Sequence, residues 1–336
     1  MASNLIQAAP AGGAGTLQWL RKVSLIIGNS GSAALDFSQF RFTFHVQRGD
    51  IQTPNSLRVR IYNLADATAK QVQKEFTRVV LQAGYEGNYG IIFDGTLIQA
   101  RRGRENQTDT YLDITAADGD KAYNWAFVNT TLAAGHTMRD KVNMCLKAME
   151  PYGVTAGYIA DLPSNPSPRG ATHFGLARDI MHGVARTTQS VWSIQDGKLV
   201  MYPETSYMPG TIPVITSATG MIGLPEQTSN GIKVRMLLNP SIKIGTLMKI
   251  DNASVQQWER PLAISQQGNQ IESSMQNRLD SDGYYYVMLA EHWGDTRGND
   301  YYTEATCLAV DATVIKGFVD RAVTPDASVV VVPKNL

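Results

Sequence analysis

One stretch near the C-terminal end, Glu291-His-Trp-Gly-Asp-Thr-Arg-Gly-Asn-Asp300, gathers the residue types that do chemistry. His292 and Asp295 carry donor atoms that could hold a divalent cation, and the acids invite a hydrolase reading. A metal site wants further ligands at set spacings, and no second histidine sits at ligand distance along the chain. The same residues read as a hairpin tip: Asp295 and Gly298 do turn chemistry and Arg297 stands exposed. Arg101, Arg102 and Arg104 form the dense basic run. It reads either as a phosphate contact or, beside Glu105 and Asp109, as a solvated hairpin or an intersubunit ion pair. "GNSGSAA" and "APAGGAGT" lack the Lys-Ser/Thr of a phosphate loop, and Ser30 and Ser193 sit in no nucleophile elbow. His45, His136, His173 and His182 are scattered singly, and Cys145 falls on an apolar helix face. Asp140, Glu150 and Asp161 are accounted for by a cap, a helix end and a loop. No catalytic, cofactor-binding or metal-ligating residue is assigned, and no cofactor is expected.

The totals set wide bounds. At 336 residues the chain holds two or three domains. The formal charge is zero, so no global field draws it to nucleic acid or an anionic membrane. Only 18% of residues are charged, and surfaces rich in uncharged polar groups suit burial against partner chains. Cys145 and Cys307 make no disulfide framework and fit a reduced folding compartment. No apolar run reaches the roughly 20 residues of a membrane helix. "MASNLIQAAPAGGAGT" lacks the basic start and apolar core of a signal peptide and is read as a flexible arm.

The elements that must position these residues are mostly strands. "RVRIYNLADATAKQVQ" alternates up to Tyr62, with Leu57, Val59 and Ile61 on one face and Arg58 and Arg60 on the other. After Asn63 the period becomes helical, with Leu64, Val72 and Phe76 on one side. A strand runs straight into a short helix, which is expected to cover an otherwise exposed sheet edge. "RKVSLIIGN", "FRFTFHVQ", "RVVLQAGY", "GIIFDGTLIQARRG" and "TDTYLDITAAD" complete a strand-rich portion punctuated by Gly84, Gly87, Gly90, Gly95 and Gly103. Strands of this length and spacing suggest a closed or nearly closed barrel.

Thr137 begins a helix with capping-box logic through Asp140, and Met138, Val142, Cys145, Leu146 and Met149 share its apolar face. A second helix is expected from about Gly175 to Arg186, and Asp196-Gly197 closes a tight hairpin. From Pro213 strands return: "GIKVRMLLNP" and "SIKIGTLMKID" flank an Asn239-Pro240 turn, and "YYYVMLAEHWG" and "YYTEATCLAV" flank "DTRGND". The expected organisation is an arm (1–17), a first β-barrel (18–132), a small α+β insert (133–205), a second β-barrel (206–320) and a tail (321–336). Within the second barrel, a projecting loop near 253–283 holds Trp258, which is expected to reach a neighbouring chain. The fold class is α+β, mainly β.

The order "YNL", short helix, "VVLQAGY", "IFDGTLIQARRG", "LDITAADGD", and later "GMIGLPEQTSNGIKVRMLLNPSIKIGTLMKID" and "HWGDTRGNDYYTEATCLAV", resembles the hub proteins of phage tail baseplates, with tail-tube-like domains as in Mu-like phages. The likeness runs from about Leu20 to Val310. It implies a structural, non-enzymatic virion protein that is made in the host cytoplasm and built into the tail baseplate. It implies a homotrimeric ring that joins the hexameric tail tube to the trimeric spike. Baseplate wedge or tape-measure proteins are implied as further partners, and DNA would pass through the channel without specific binding or any membrane contact. The residues proposed for structure or interfaces are Arg58, Arg60, Asn63, Leu64, Val72, Gly84, Tyr85, Gly95, Trp258 and Arg297. Two other readings stay open: a tail-associated peptidoglycan hydrolase, and a hub-like component of a related secretion or injection system.

Overall fold

The computed structural model describes residues 19–29, 34–50, 54–204, 206–228, 231–250 and 283–310. The arm, the tail and the 253–283 stretch with Trp258 fall almost wholly outside the described residues. The chain begins with β1 (Arg21–Gly28), β2 (Ala34–Asp36), β3 (Phe42–Gly49) and β4 (Ser56–Tyr62). Then come α1 (Asp66–Glu75), β5 (Arg78–Tyr85), β6 (Asn88–Arg104) and β7 (Thr110–Ala117). The middle of the chain is α2 (Asp120–Trp125), β8 (Phe127–Leu132), α3 (Met138–Met149), β9 (Thr155–Ile159), β10 (Ala171–Leu176), α4 (Ala177–Thr188), β11 (Ser190–Gln195) and β12 (Lys198–Pro203). It closes with β13 (Val214–Ile215), β14 (Glu226–Thr228), β15 (Gly231–Leu237), β16 (Leu247–Ile250), β17 (Tyr284–Asp295) and β18 (Tyr301–Ala309).

The strand-into-helix turn at Tyr62 forms as the change of period requires. Asn63 takes a positive φ of 56°, a conformation asparagine tolerates better than branched residues. Its side chain fixes the corner by donating to Asp109 Oδ1 at 3.0 Å and accepting from the Thr110 amide at 3.0 Å. Leu64, Ala69, Val72 and Phe76 then bury in one core with Leu57, Val59 and Ile61. The helix lies against β6 and β1.

The two β-rich portions are not separate sheets. Both belong to one 13-stranded sheet, ordered β14-β15-β18-β17-β3-β4-β7-β6-β5-β1-β2, with β13 and β16 joined beside β17. Strand β17 is the seam. Its first residues pair with β16, and after a bulge between Val287 and Leu289 the rest pairs with β3. A twisted sheet this wide has to curl or split to bury its apolar face. Here β1, β3, β4, β5, β6 and β7 surround one core, while β13, β15, β16, β17 and β18 surround another.

The strand spacing led to a closed or nearly closed barrel, and closure by a backbone ladder is not seen among the described residues, since no ladder joins the free edges of the sheet. The first curl comes near closure through side chains instead. Tyr301 Oη donates to Lys22 O at 2.8 Å, and Arg21 Nη1 donates to Gly298 O at 2.6 Å, so β1 is tied to the β17–β18 hairpin. Strands β15 and β16 do flank Asn239-Pro240, yet they pair with other strands rather than with each other.

The α+β segment packs its own core from α2, β8, α3, α4, β11 and β12. Thr137 and Asp140 make the expected capping box at the start of α3. Helix α4 begins later than its periodicity suggested, at Ala177, because Leu176 ends β10, and it buries Ala177, Met181, Val184 and Ala185. The β11–β12 hairpin turns at Asp196 and Gly197 with φ of 52° and 72°. Replacing Leu64 by Asp puts a carboxylate into the first core. It should cost more than the about 2–5 kcal/mol typical of a buried Leu→Ala change and lower the melting temperature in calorimetry.

Candidate interaction surfaces

Alternation along the central strands puts apolar residues inward and builds a continuous polar face on the other side. Register aligns Arg235, Glu304, Glu291, Gln47 and Ser56 in one row, and Tyr302, Trp293, His45, Arg58 and Thr115 in the next. A third row is Asp295, Thr43, Arg60, Asp113 and Arg101. Arg60 forks onto Asp113 at 2.7 and 3.1 Å and lies over the Tyr111 ring at 4.1 Å. Lys233 and Arg235 share Glu304, Arg41 reaches Asp295 at 3.3 Å, and Gln47 donates to Glu291. His45 stacks on Trp293 at 3.5 Å between ring centres. Its pKa is lowered by burial although Glu291 stands 3.6 Å away. Among the described residues, Arg58 and Arg101 have no carboxylate within ion-pair distance, so they are the face's unmatched cations.

This arrangement resolves the tempting clusters. His292 faces the opposite side of β17 from Glu291 and Asp295, so the three cannot converge on one ion. It is fully buried, accepts or donates at Thr303 Oγ1 (2.8 Å), and burial pushes its pKa down to about 3. Asp295 Oδ1 accepts the Arg297 amide at 2.8 Å, the turn chemistry expected there, and Arg297 is exposed. The basic run is not in a loop: Arg101, Arg102 and Arg104 lie at the end of β6, and Arg102 pairs with Asp66 within the chain. Burial raises the Cys145 thiol to about 12, which suits a packing role.

The remaining proposed residues fall into the sheet's framework. Leu64 and Val72 are core, and Asn63 holds a corner. Gly84, with φ of 150°, donates its amide to Tyr301 Oη at 3.0 Å. A Cβ on it would meet Asn88 O at 2.1 Å. Tyr85 packs edge-on against Tyr301 with ring centres 5.4 Å apart. A Cβ on Gly95 would meet Ala117 O and the Phe93 ring, each at 2.7 Å. Trp258 lies outside the described residues.

Sequence reasoning missed the junction where the hairpin tip at Asp196 meets the sheet. Arg48, Asp50, Asn55 and Asp118 are all buried there. Arg48 pairs with Asp196, and Asn55 Nδ2 donates to Ile194 O at 3.3 Å. Tyr286 Oη donates to Asp50 Oδ2 at 2.9 Å and meets Tyr202 Oη at 3.0 Å. A cleft of about 810 Å³ opens beside it, lined by Asn88, Asp94, Tyr158, Asp196 and Lys243 among others. The available signal was polar residues at strand ends, Arg48-Gly-Asp50 and Asp118-Gly119, whose types alone name no partner. Exposed aromatics were legible only as types: Trp125 and Phe174 stand out from the α+β segment, 69% and 74% exposed.

Residues 56–255 match the baseplate hub gp41 family, and the chain belongs to that family. It is therefore a structural component of a phage tail baseplate. No curated protein matches it in sequence. Solved structures share the fold, among them two tail proteins and a secretion component. The prophage MuSo2 43 kDa tail protein from Shewanella oneidensis is 7% identical, with a TM-score of 0.54 over 86% of this chain and 97% of that one. The tail protein from Neisseria meningitidis MC58 is 10% identical, with a TM-score of 0.51 over 88% and 98%. The E. coli c3393 protein is described as a type VI secretion component structurally similar to T4 tail proteins gp27 and gp5. It is 11% identical, with a TM-score of 0.50 over 93% and 80%.

Tyr301 Oη serves Lys22 O, Gly84 O and the Gly84 amide, so Tyr301→Phe strands buried backbone groups. It should cost about 1–3 kcal/mol in denaturant unfolding with an unchanged far-UV spectrum.

Proposed function

We propose that this hub forms a homotrimeric ring that joins a sixfold tail tube to a threefold spike, with the polar sheet face lining the passage for DNA. The observation that carries this reading is an open, branched sheet with unlike free edges that have exposed apolar side chains beside them. Trp19, Leu20, Ile26 and Phe40 lie by the β1–β2 edge, Val214 on the β13 branch, and Ile222 and Leu224 just ahead of β14. Unlike ends that meet head to tail make a heterologous contact, and such contacts close into a ring when the rotation closes. Two β-rich curls in each of three copies offer six docking positions to a hexameric tube.

The polar face suits a channel because its charges are largely matched within the chain, which lets a polyanion slide past without tight holding. The two β-rich curls act as tube-like domains and the α+β segment as an outer insert between them. The protein works by assembly rather than catalysis, within the virion tail after folding in the host cytoplasm. Tail tube, spike and wedge or tape-measure proteins are its partners. The fold shared with the E. coli c3393 protein keeps one second reading, a hub-like part of a secretion or injection system.

Light scattering after size exclusion tests the ring. The full chain should form trimers, alone or with tube or spike protein, and Ile222→Lys with Leu224→Lys should leave a folded monomer. Trimers unchanged by the double variant would remove the β14 edge from the contact.

A further inference from the structure

Strand β6 is paired on both sides for only part of its length. Strand β7 reaches it from Thr96 onward, so Asn88–Asp94 has β5 on one side and, among the described residues, no strand on the other. The two-residue turn Glu86-Gly87 makes Tyr85 and Asn88 the first hydrogen-bonded pair of the β5–β6 hairpin. Alternation then turns the N–H and C=O of Tyr89 and Ile91 away from β5. Gly84, which stands opposite Tyr89, fits this phase, since its amide and carbonyl bond to Tyr301 Oη instead of to β6. No backbone bond from the described residues reaches the outward groups of Tyr89 and Ile91. The cleft of about 810 Å³ lies along this edge: Tyr89, Ile91 and Asp94 line it from β6, and Tyr158, Lys198 and Val200 line it from the α+β segment. The open stretch is about 20 Å long at the rise of a strand, the length of an ordinary strand. Its charges are matched except for one. Asp94 takes Arg78, and Asp196 takes both Arg48 and Lys243, which leaves Lys198 with no carboxylate within ion-pair distance among the described residues.

We propose that the open edge of β6 is a docking site for an extended acidic segment of another tail protein, which adds as a strand along Asn88–Asp94 and sets a carboxylate beside Lys198. Main-chain bonds to Tyr89 and Ile91 would hold the segment, and the cleft would select its side chains. This chain's own described strands do not meet the need. Of the strands at sheet ends, those that carry an acid, β2 with Asp36 and β14 with Glu226, are only three residues long. The longer ones, β8, β9, β10 and β11, carry none. The occupant is therefore a different protein. This inference rests on the chain's place in a baseplate and not on how many copies close a ring.

Photo-crosslinking in assembled tails tests the site. Benzoylphenylalanine in place of Ile91, a side chain that is 42% exposed, should join this chain to a different tail protein within a segment that contains Asp or Glu. In that background Lys198→Glu should cut the yield by about two- to fivefold, and Lys198→Arg should keep it. Should the substituted chain fail to assemble, hydrogen exchange on the unmodified chain decides. The Tyr89 and Ile91 amides should exchange at least about tenfold more slowly in the tail than in the isolated protein, while the Gly90 amide, which alternation pairs with Ala83, is protected in both. A link within the same chain or to a second copy, a yield unchanged by Lys198→Glu, or Tyr89 and Ile91 amides equally open in both states would overturn the site.

Discussion

The structure rests on the backbone ladder between β3 and β17. These strands lie at opposite ends of the chain, and the register running from Leu289 with Gly49 to Asp295 with Thr43 fuses the two β-rich portions. Without it each portion would present a long unpaired edge, the feature that sheet proteins otherwise cover or charge. The pairing is fixed by more than backbone. Gly294 lies opposite Phe44, and a Cβ there would meet the Phe44 ring at 2.3 Å, so the aromatic ring fills the glycine's place. Alternation then settles the faces: a slip by one residue would bring Glu291 and Asp295 into the core and expose His292.

The polar face and both β-rich cores inherit their place from that seam. The polar rows cross it without a break, because Trp293 on β17 stacks on His45 of β3 and Glu291 accepts from Gln47. The bulge between Val287 and Leu289 marks the passage of β17 from β16 to β3 and so separates the two cores. The same region delivers Tyr286 to Asp50 and brings Arg48 toward Asp196, which is how the α+β segment gains a fixed seat. The outermost strands β2, β13 and β14 are only two or three residues long.

Local pattern carried much of this. The strand-to-helix turn at Asn63, the α3 capping box, the Asp196-Gly197 hairpin and the Asp295 turn all depend on residues close in sequence, and each was legible. The order of motifs was enough to indicate the hub family. The seam was not legible, since β3 and β17 read as good strands but alternation does not name a distant partner. For the same reason the two portions read as separate barrels, and β15 and β16 read as neighbours across Asn239-Pro240. The buried cluster was hidden because Arg48, Asp50 and Asp118 look like solvated strand ends until the hairpin is placed over them. Gly84 and Tyr85 were singled out as types, but their role depends on Tyr301 from the far end of the chain.

Native-state hydrogen exchange at the seam tests the central claim most directly. If β3 and β17 join the two portions into one sheet, amides of Thr43–Gln47 and Leu289–Gly294 should open together, with equal free energies that respond alike to denaturant. Exchange of the β3 amides by a lower-energy opening that leaves β17 protected, or the reverse, would mean the portions fold as separate bodies and would contradict the account.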